Sequence, residues 1–120
     1  MTINTATAIA TRLMSCSDVF VSWSYEYPDW IALNTDSGAL WCIGTANGTF
    51  GADLYLLSSQ HAAGRSPYLT VETPVPSTEQ NAVTIADALF VAMTTGEATR
   101  RSERRQADRD EHNWRNTRKG

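Results

Sequence analysis

Between Val19 and Leu57 apolar and polar residues alternate with a period of two, and the alternation breaks at regular intervals on turn-forming residues. The pattern predicts four antiparallel strands in a meander. In the first, Val19, Val21, Trp23, Tyr25 and Tyr27 fall on one face and Phe20, Ser22, Ser24 and Glu26 on the other, as in a strand with one wet side. Tyr27-Pro28-Asp29 ends it, because proline has no N–H for a ladder and presets φ for a turn. Trp30 to Asn34 forms the second strand, with Ile31 and Leu33 inward, and Thr35-Asp36-Ser37-Gly38 turns the chain. Ala39 to Gly44 is apolar on both faces, which predicts a strand that is central or covered on both sides. Asn47-Gly48 is a hairpin signal, since a type I′ turn needs positive φ at both central residues. In the fourth strand Phe50, Ala52, Leu54 and Leu56 alternate with Gly51, Asp53, Tyr55 and Leu57.

The flanks carry a different period. Thr2 to Ser15 places Ile3, Ala6, Ile9, Ala10 and Leu13 at helical spacing, with Cys16 continuing the stripe. Its threonines are poor helix formers, so packing on the sheet has to supply most of the stability. Ser58 to Ser66 shows no period and predicts a loop. Pro67 to Pro76 alternates, yet Pro74 and Pro76 exclude a central strand, so a fifth, edge strand is expected. Ser77 and Gln80 have capping-box spacing ahead of the stripe Ala82, Ile85, Ala86, Leu89 and Met93, which Val83 and Phe90 widen. Thr94-Thr95-Gly96 supplies a stop. From Glu97 the chain is almost free of apolar residues, and pairs such as Glu97 with Arg101, Arg104 with Asp108 and Glu111 with Arg115 predict a solvated second helix to about Asn113. The expected fold is α+β: an N-terminal helix, a four- to five-stranded antiparallel meander, a helix packed on one sheet face and a charged C-terminal helix. Residues 1–96 form the core domain and residues 97–120 an arginine-rich tail.

Length, 120 residues, allows one domain with a modest core. No apolar run approaches the roughly 20 residues of a membrane span, and no charged n-region precedes an apolar segment, so a cytoplasmic location is expected. Two cysteines, Cys16 and Cys42, are too few for a disulfide framework, and Cys42 in the most apolar strand reads as a small core residue. Asn47-Gly48-Thr49 matches a glycosylation sequon, but the turn explains it. The net charge of −3 hides an asymmetry: residues 1–96 carry two arginines against eight acids, whereas residues 97–120 carry seven arginines and Lys119 against five acids. An acidic body with a basic tail points to electrostatic partner binding.

Catalytic chemistry finds little support. His61 and His112 lack neighbours at ligand spacing and no Cys-x-x-Cys occurs, so no metal or cofactor is expected. Cys16 near Asp18, or Ser66 near His61, lacks any nucleophile signature. The glycines from Gly44 to Gly51 precede a strand rather than a helix, which does not suit phosphate cradling. Two features favour partner binding instead. Arg101, Arg104, Arg105 and Arg109 form a helical stripe, with Arg100 beside it. Trp30, Asp53 and Tyr55 fall by parity on the outward face of the sheet, an aromatic and acidic surface. The expected function is a small non-enzymatic protein-binding inhibitor or adaptor, of the anti-defence, anti-CRISPR type encoded by phages and mobile elements, acting on a larger protein or ribonucleoprotein complex. Its location would then be the host cytoplasm. The alternative is a nucleic-acid-binding accessory protein that uses the arginine-rich helix. A homodimer through the edge strand at Tyr68 to Val71 is a further expectation.

Overall fold

In a computed structural model of the chain, the backbone is described for residues 1–26 and 29–119, and side chains for these residues through Ser102. Five strands, β1 (Phe20–Glu26), β2 (Trp30–Thr35), β3 (Leu40–Ala46), β4 (Thr49–Tyr55) and β5 (Leu69–Pro76), pair antiparallel with their sequence neighbours in the order β1-β2-β3-β4-β5. The described residues also form the helices α1 (Ile3–Cys16), α2 (Ser58–Ala62) and α3 (Ala82–Lys119). The α+β meander is therefore the one the alternation predicts. β3, apolar on both faces, is the middle strand. The hairpin between β3 and β4 turns on Asn47 at φ 57° and Gly48 at φ 83°, both positive as a type I′ turn requires. No helix among the described residues is long and apolar enough to cross a membrane.

Helices α1 and α3 lie side by side on one face of the sheet, α1 against β1 and β2 and α3 against β4 and β5. The Thr2 hydroxyl caps α1 by accepting the Thr5 N–H, and the helix turns Ala6, Ile9, Ala10 and Leu13 inward. They meet Ile85, Ala86, Leu89 and Met93 of α3 and, from the sheet, Ile31, Leu33, Trp41, Ile43, Phe50 and Leu54. On the solvent side Arg12 Nε reaches Asp87 Oδ1 at 3.1 Å, joining the two helices. The Met1 amino group lies 3.0 Å from Asp29 Oδ1, which ties the start of α1 to the sheet. Edge strand β5 buries Val71, Thr73 and Val75. The Thr73 hydroxyl donates to the Phe50 carbonyl at 2.9 Å, beside Pro74, which has no N–H to offer.

Five local expectations are corrected. The register between β1 and β2 shifts between Phe20 and Ser22, a bulge that leaves Val21 unpaired. Phe20 consequently joins Trp23 and Tyr25 on the core side, while Val19 and Val21 are exposed, because one extra residue reverses parity. β4 ends at Tyr55, so Leu56 and Leu57 both face solvent. The segment expected as a loop contains α2, a single turn closed by the Gln60 side chain accepting the Leu57 N–H and by Gly64 at φ 72°.

The other two corrections concern α3. Ser77 does not cap it: Asn81 Oδ1 accepts the N–H groups of Val83 at 3.0 Å and Thr84 at 3.3 Å, and Glu79 Oε1 accepts those of Gln80 and Asn81. Asn81→Ala should therefore cost about 1 kcal/mol in a urea titration and Ser77→Ala close to nothing. Nor does Gly96 stop the helix, which continues to Lys119. A Cβ at residue 96 would stand 2.4 Å from Val71 Cγ1, so the glycine serves close contact between α3 and β5. The charged helix is thus an extension of the packed one. The expected Tyr27-Pro28 turn residues and the side-chain pairs beyond Ser102 lie outside the described residues.

Candidate functional site

Among the described residues, α2 is the helix beside the face of the sheet opposite α1 and α3. Its side chains follow from the registers. One row across the sheet runs Glu26, Trp30, Gly44, Gly51, Glu72: Glu26 pairs with Trp30, a Cβ on Gly44 would stand 3.5 Å from Trp30 Cβ, Gly44 pairs with Gly51 and Gly51 with Glu72. The next row runs Ser24, Ala32, Cys42, Asp53, Thr70. Two adjacent glycines with no side chain leave a trough of about 270 Å³ in the middle of this face. Gly51 is required there, since a Cβ at that residue would lie 2.7 Å from the Val71 carbonyl oxygen.

One end of the trough is aromatic. The α2 turn lays the His61 ring flat against Tyr55, centroids 4.9 Å apart, and edge-on to Trp30 at 5.0 Å. Beneath them Ala32, Leu40 and Tyr55 form a second small apolar cluster, with Trp30 and Cys42 at its margin. The parity assignment of Trp30, Asp53 and Tyr55 to this face holds, but Tyr55 is corrected in exposure: it is buried because His61 covers it. Trp30 is half-buried and keeps part of its surface on the trough.

The other walls are polar and negative. Asp53 Oδ1 accepts the Thr70 hydroxyl at 2.8 Å, which orients the carboxylate across the strand pair. Glu72 is exposed and has no ion-pair partner among the described residues. Glu26 accepts the Ser24 hydroxyl at 2.9 Å. The trough lining holds Asp53 and Glu72 and, among the described residues, neither lysine nor arginine.

The Cys42 thiol registers this field. Burial, then the charges of Asp53 and Glu26, push its pKa up to about 12. Tyr55 is raised by burial first, then by Cys42 and Asp53. At neutral pH Cys42 is protonated and a poor nucleophile. With a thiol displaced upward from 9.0 to about 12, the thiolate fraction near pH 8 falls about a thousandfold. In a Cys16→Ser background, iodoacetamide should accordingly label Cys42 at least a hundredfold more slowly than free cysteine, until the chain is unfolded.

The arginines lie elsewhere. Arg101 is on α3, across the sheet from the trough, 71% exposed and 3.9 Å from Glu97 at the i, i+4 spacing. Arg100 stacks its guanidinium over the Tyr68 ring at 5.2 Å. Arg104, Arg105 and Arg109 follow on the same helix, and their side chains lie outside the described residues. The arginine stripe and the aromatic, acidic sheet face expected from the sequence thus lie on opposite sides of the sheet. Gly44, Gly51, His61 and Glu72 were not singled out as site residues, although the Asn47-Gly48 turn already implies the Gly44–Gly51 and Cys42–Asp53 pairs by counting outward from it.

Among the described residues no group of three His, Cys, Asp or Glu side chains could hold a metal ion. No protein-family model, curated protein or solved structure matches the chain.

Proposed function

We propose that this chain is a small non-enzymatic protein-binding module, an inhibitor or adaptor that lays the open face of its sheet on a larger protein or ribonucleoprotein complex. The observation that carries the reading is the division of the sheet. Both packing helices occupy one face, and the other keeps a trough with Trp30 at one side and, at the other, carboxylates with no lysine or arginine among the described lining residues. A half-buried tryptophan beside a depression is the kind of anchor that concentrates binding energy in a protein interface. The thiol of this face, Cys42, is held protonated, which favours binding over covalent chemistry there. An anti-defence role against a nucleic-acid-targeting complex is the narrower form of the same proposal, with the arginines of α3 as a second contact surface.

Affinity capture with the tagged full chain tests it. Capture from cells with and without nuclease, in wild type and in Trp30→Ala, should return a protein partner that survives nuclease and is lost from the variant. Recovery of nucleic acid alone, sensitive to salt and indifferent to Trp30, would instead support the arginine helix as a phosphate-binding element and defeat the proposal.

A further inference from the structure

The trough has a charge as well as a shape, and the two together specify what enters it. Its floor is the Gly44–Gly51 pair, so an incoming group can descend to the level of the strand backbone. The half-buried indole of Trp30 borders it on the β2 side. On the other side stand Asp53, with one oxygen engaged by Thr70, and Glu72. Glu26 lies at the far end of the same row. An open volume of about 270 Å³ is below the range typical of drug-sized ligand sites and suits one long side chain.

From this geometry we infer that the trough receives a single cationic side chain, arginine or lysine, projecting from an extended segment of a protein partner. A cation there gains from the Trp30 ring at the trough's border and from two carboxylates beside which, among the described residues, the lining places no lysine or arginine. An acidic or apolar side chain would leave those carboxylates unpaired. The arginines of α3 are not the occupant within one molecule, because α3 packs on the opposite face of the sheet, and Arg65, which follows α2, lines a separate depression with Leu56 and Gln60. The inference deepens the proposed function by naming the chemistry of the partner's anchor.

Amide NMR of the ¹⁵N-labelled full chain tests it with three blocked pentapeptides of glycine around a central arginine, lysine or citrulline. Citrulline keeps the shape of arginine and removes its charge. The arginine and lysine peptides should move the Gly44, Gly51 and Asp53 amide signals, and citrulline should not. Asp53→Asn or Glu72→Gln should weaken the arginine peptide about threefold to tenfold, while Asp87→Asn, on the helical side, leaves it unchanged. The same spectra show that each variant is folded. Equal response to citrulline, no response at the glycine pair, or indifference to both carboxylate substitutions would overturn the inference. Peptide binding that fails alongside Trp30-dependent capture would remove the cationic anchor and leave the proposed function standing. The reverse outcome would remove the proposed function alone.

Discussion

Trp41→Ala is expected to lower the unfolding free energy by about 3–5 kcal/mol, a large part of the 5–15 kcal/mol typical of a domain. Trp41 is 2% exposed at the centre of the sheet, on the face under the helices. Removing its ring leaves a cavity among rigid neighbours in the middle strand, where little can collapse to fill it. Trp30→Ala, by contrast, removes a half-buried ring from the margin of the smaller cluster and should cost no more than about 1–2 kcal/mol. Urea denaturation of both variants checks the pair. Similar losses would mean that the open face is as integral to the core as the covered one, and Trp30 would then be a structural residue.

That contrast is largely legible in the amino-acid sequence, and the limits of its legibility have physical causes. Parity from Ile31 and Leu33 puts Trp30 on the opposite face, and the Asn47-Gly48 turn sets the β3–β4 register, so Asp53 and Tyr55 fall where the alternation places them, whereas Cys42, expected in the core, is half-buried on the open face because it pairs with Asp53. Parity fails where a residue is inserted. The bulge at Val21 carries no compositional mark, and it moves Phe20 into the core and Val19 out of it. The burial of Tyr55 depends on α2, whose single turn is too short to show a period and whose His61 has meaning only through its position over the sheet. The trough is hidden in the sequence for a related reason. Glycines at Gly44 and Gly51 suggest turns when read singly, and only their cross-strand pairing makes them a floor. Capping is ambiguous where two polar residues compete: Ser77 and Asn81 both precede the apolar stripe, and the intervening Glu79 shifts the helix start to the later one.

A double-mutant cycle at Gly96 and Val71 should show coupling whose sign reports whether the packed and charged segments are one helix. In the continuous helix, Gly96→Ala gains about 1 kcal/mol of helix propensity but pushes a methyl group against Val71 Cγ1, and overpacking of that kind costs about 1–3 kcal/mol. The neighbour is a stiff β-branched side chain, so it cannot swing away. The single variant should therefore be neutral to destabilised, and Gly96→Leu should be destabilised by several times more, since its longer chain meets Leu69 as well. Val71→Ala removes the obstructing methyl at the cost of burial. In that background Gly96→Ala should stabilise the chain by about 0.5–1 kcal/mol, because only the propensity gain remains. Were Gly96 a left-handed stop, alanine would cost about 1 kcal/mol in either background and the cycle would close with no coupling. The outcome matters for function. A helix that runs unbroken through Gly96 makes the arginine-bearing segment continuous with the one packed on the sheet, the arrangement on which the proposed second contact surface relies.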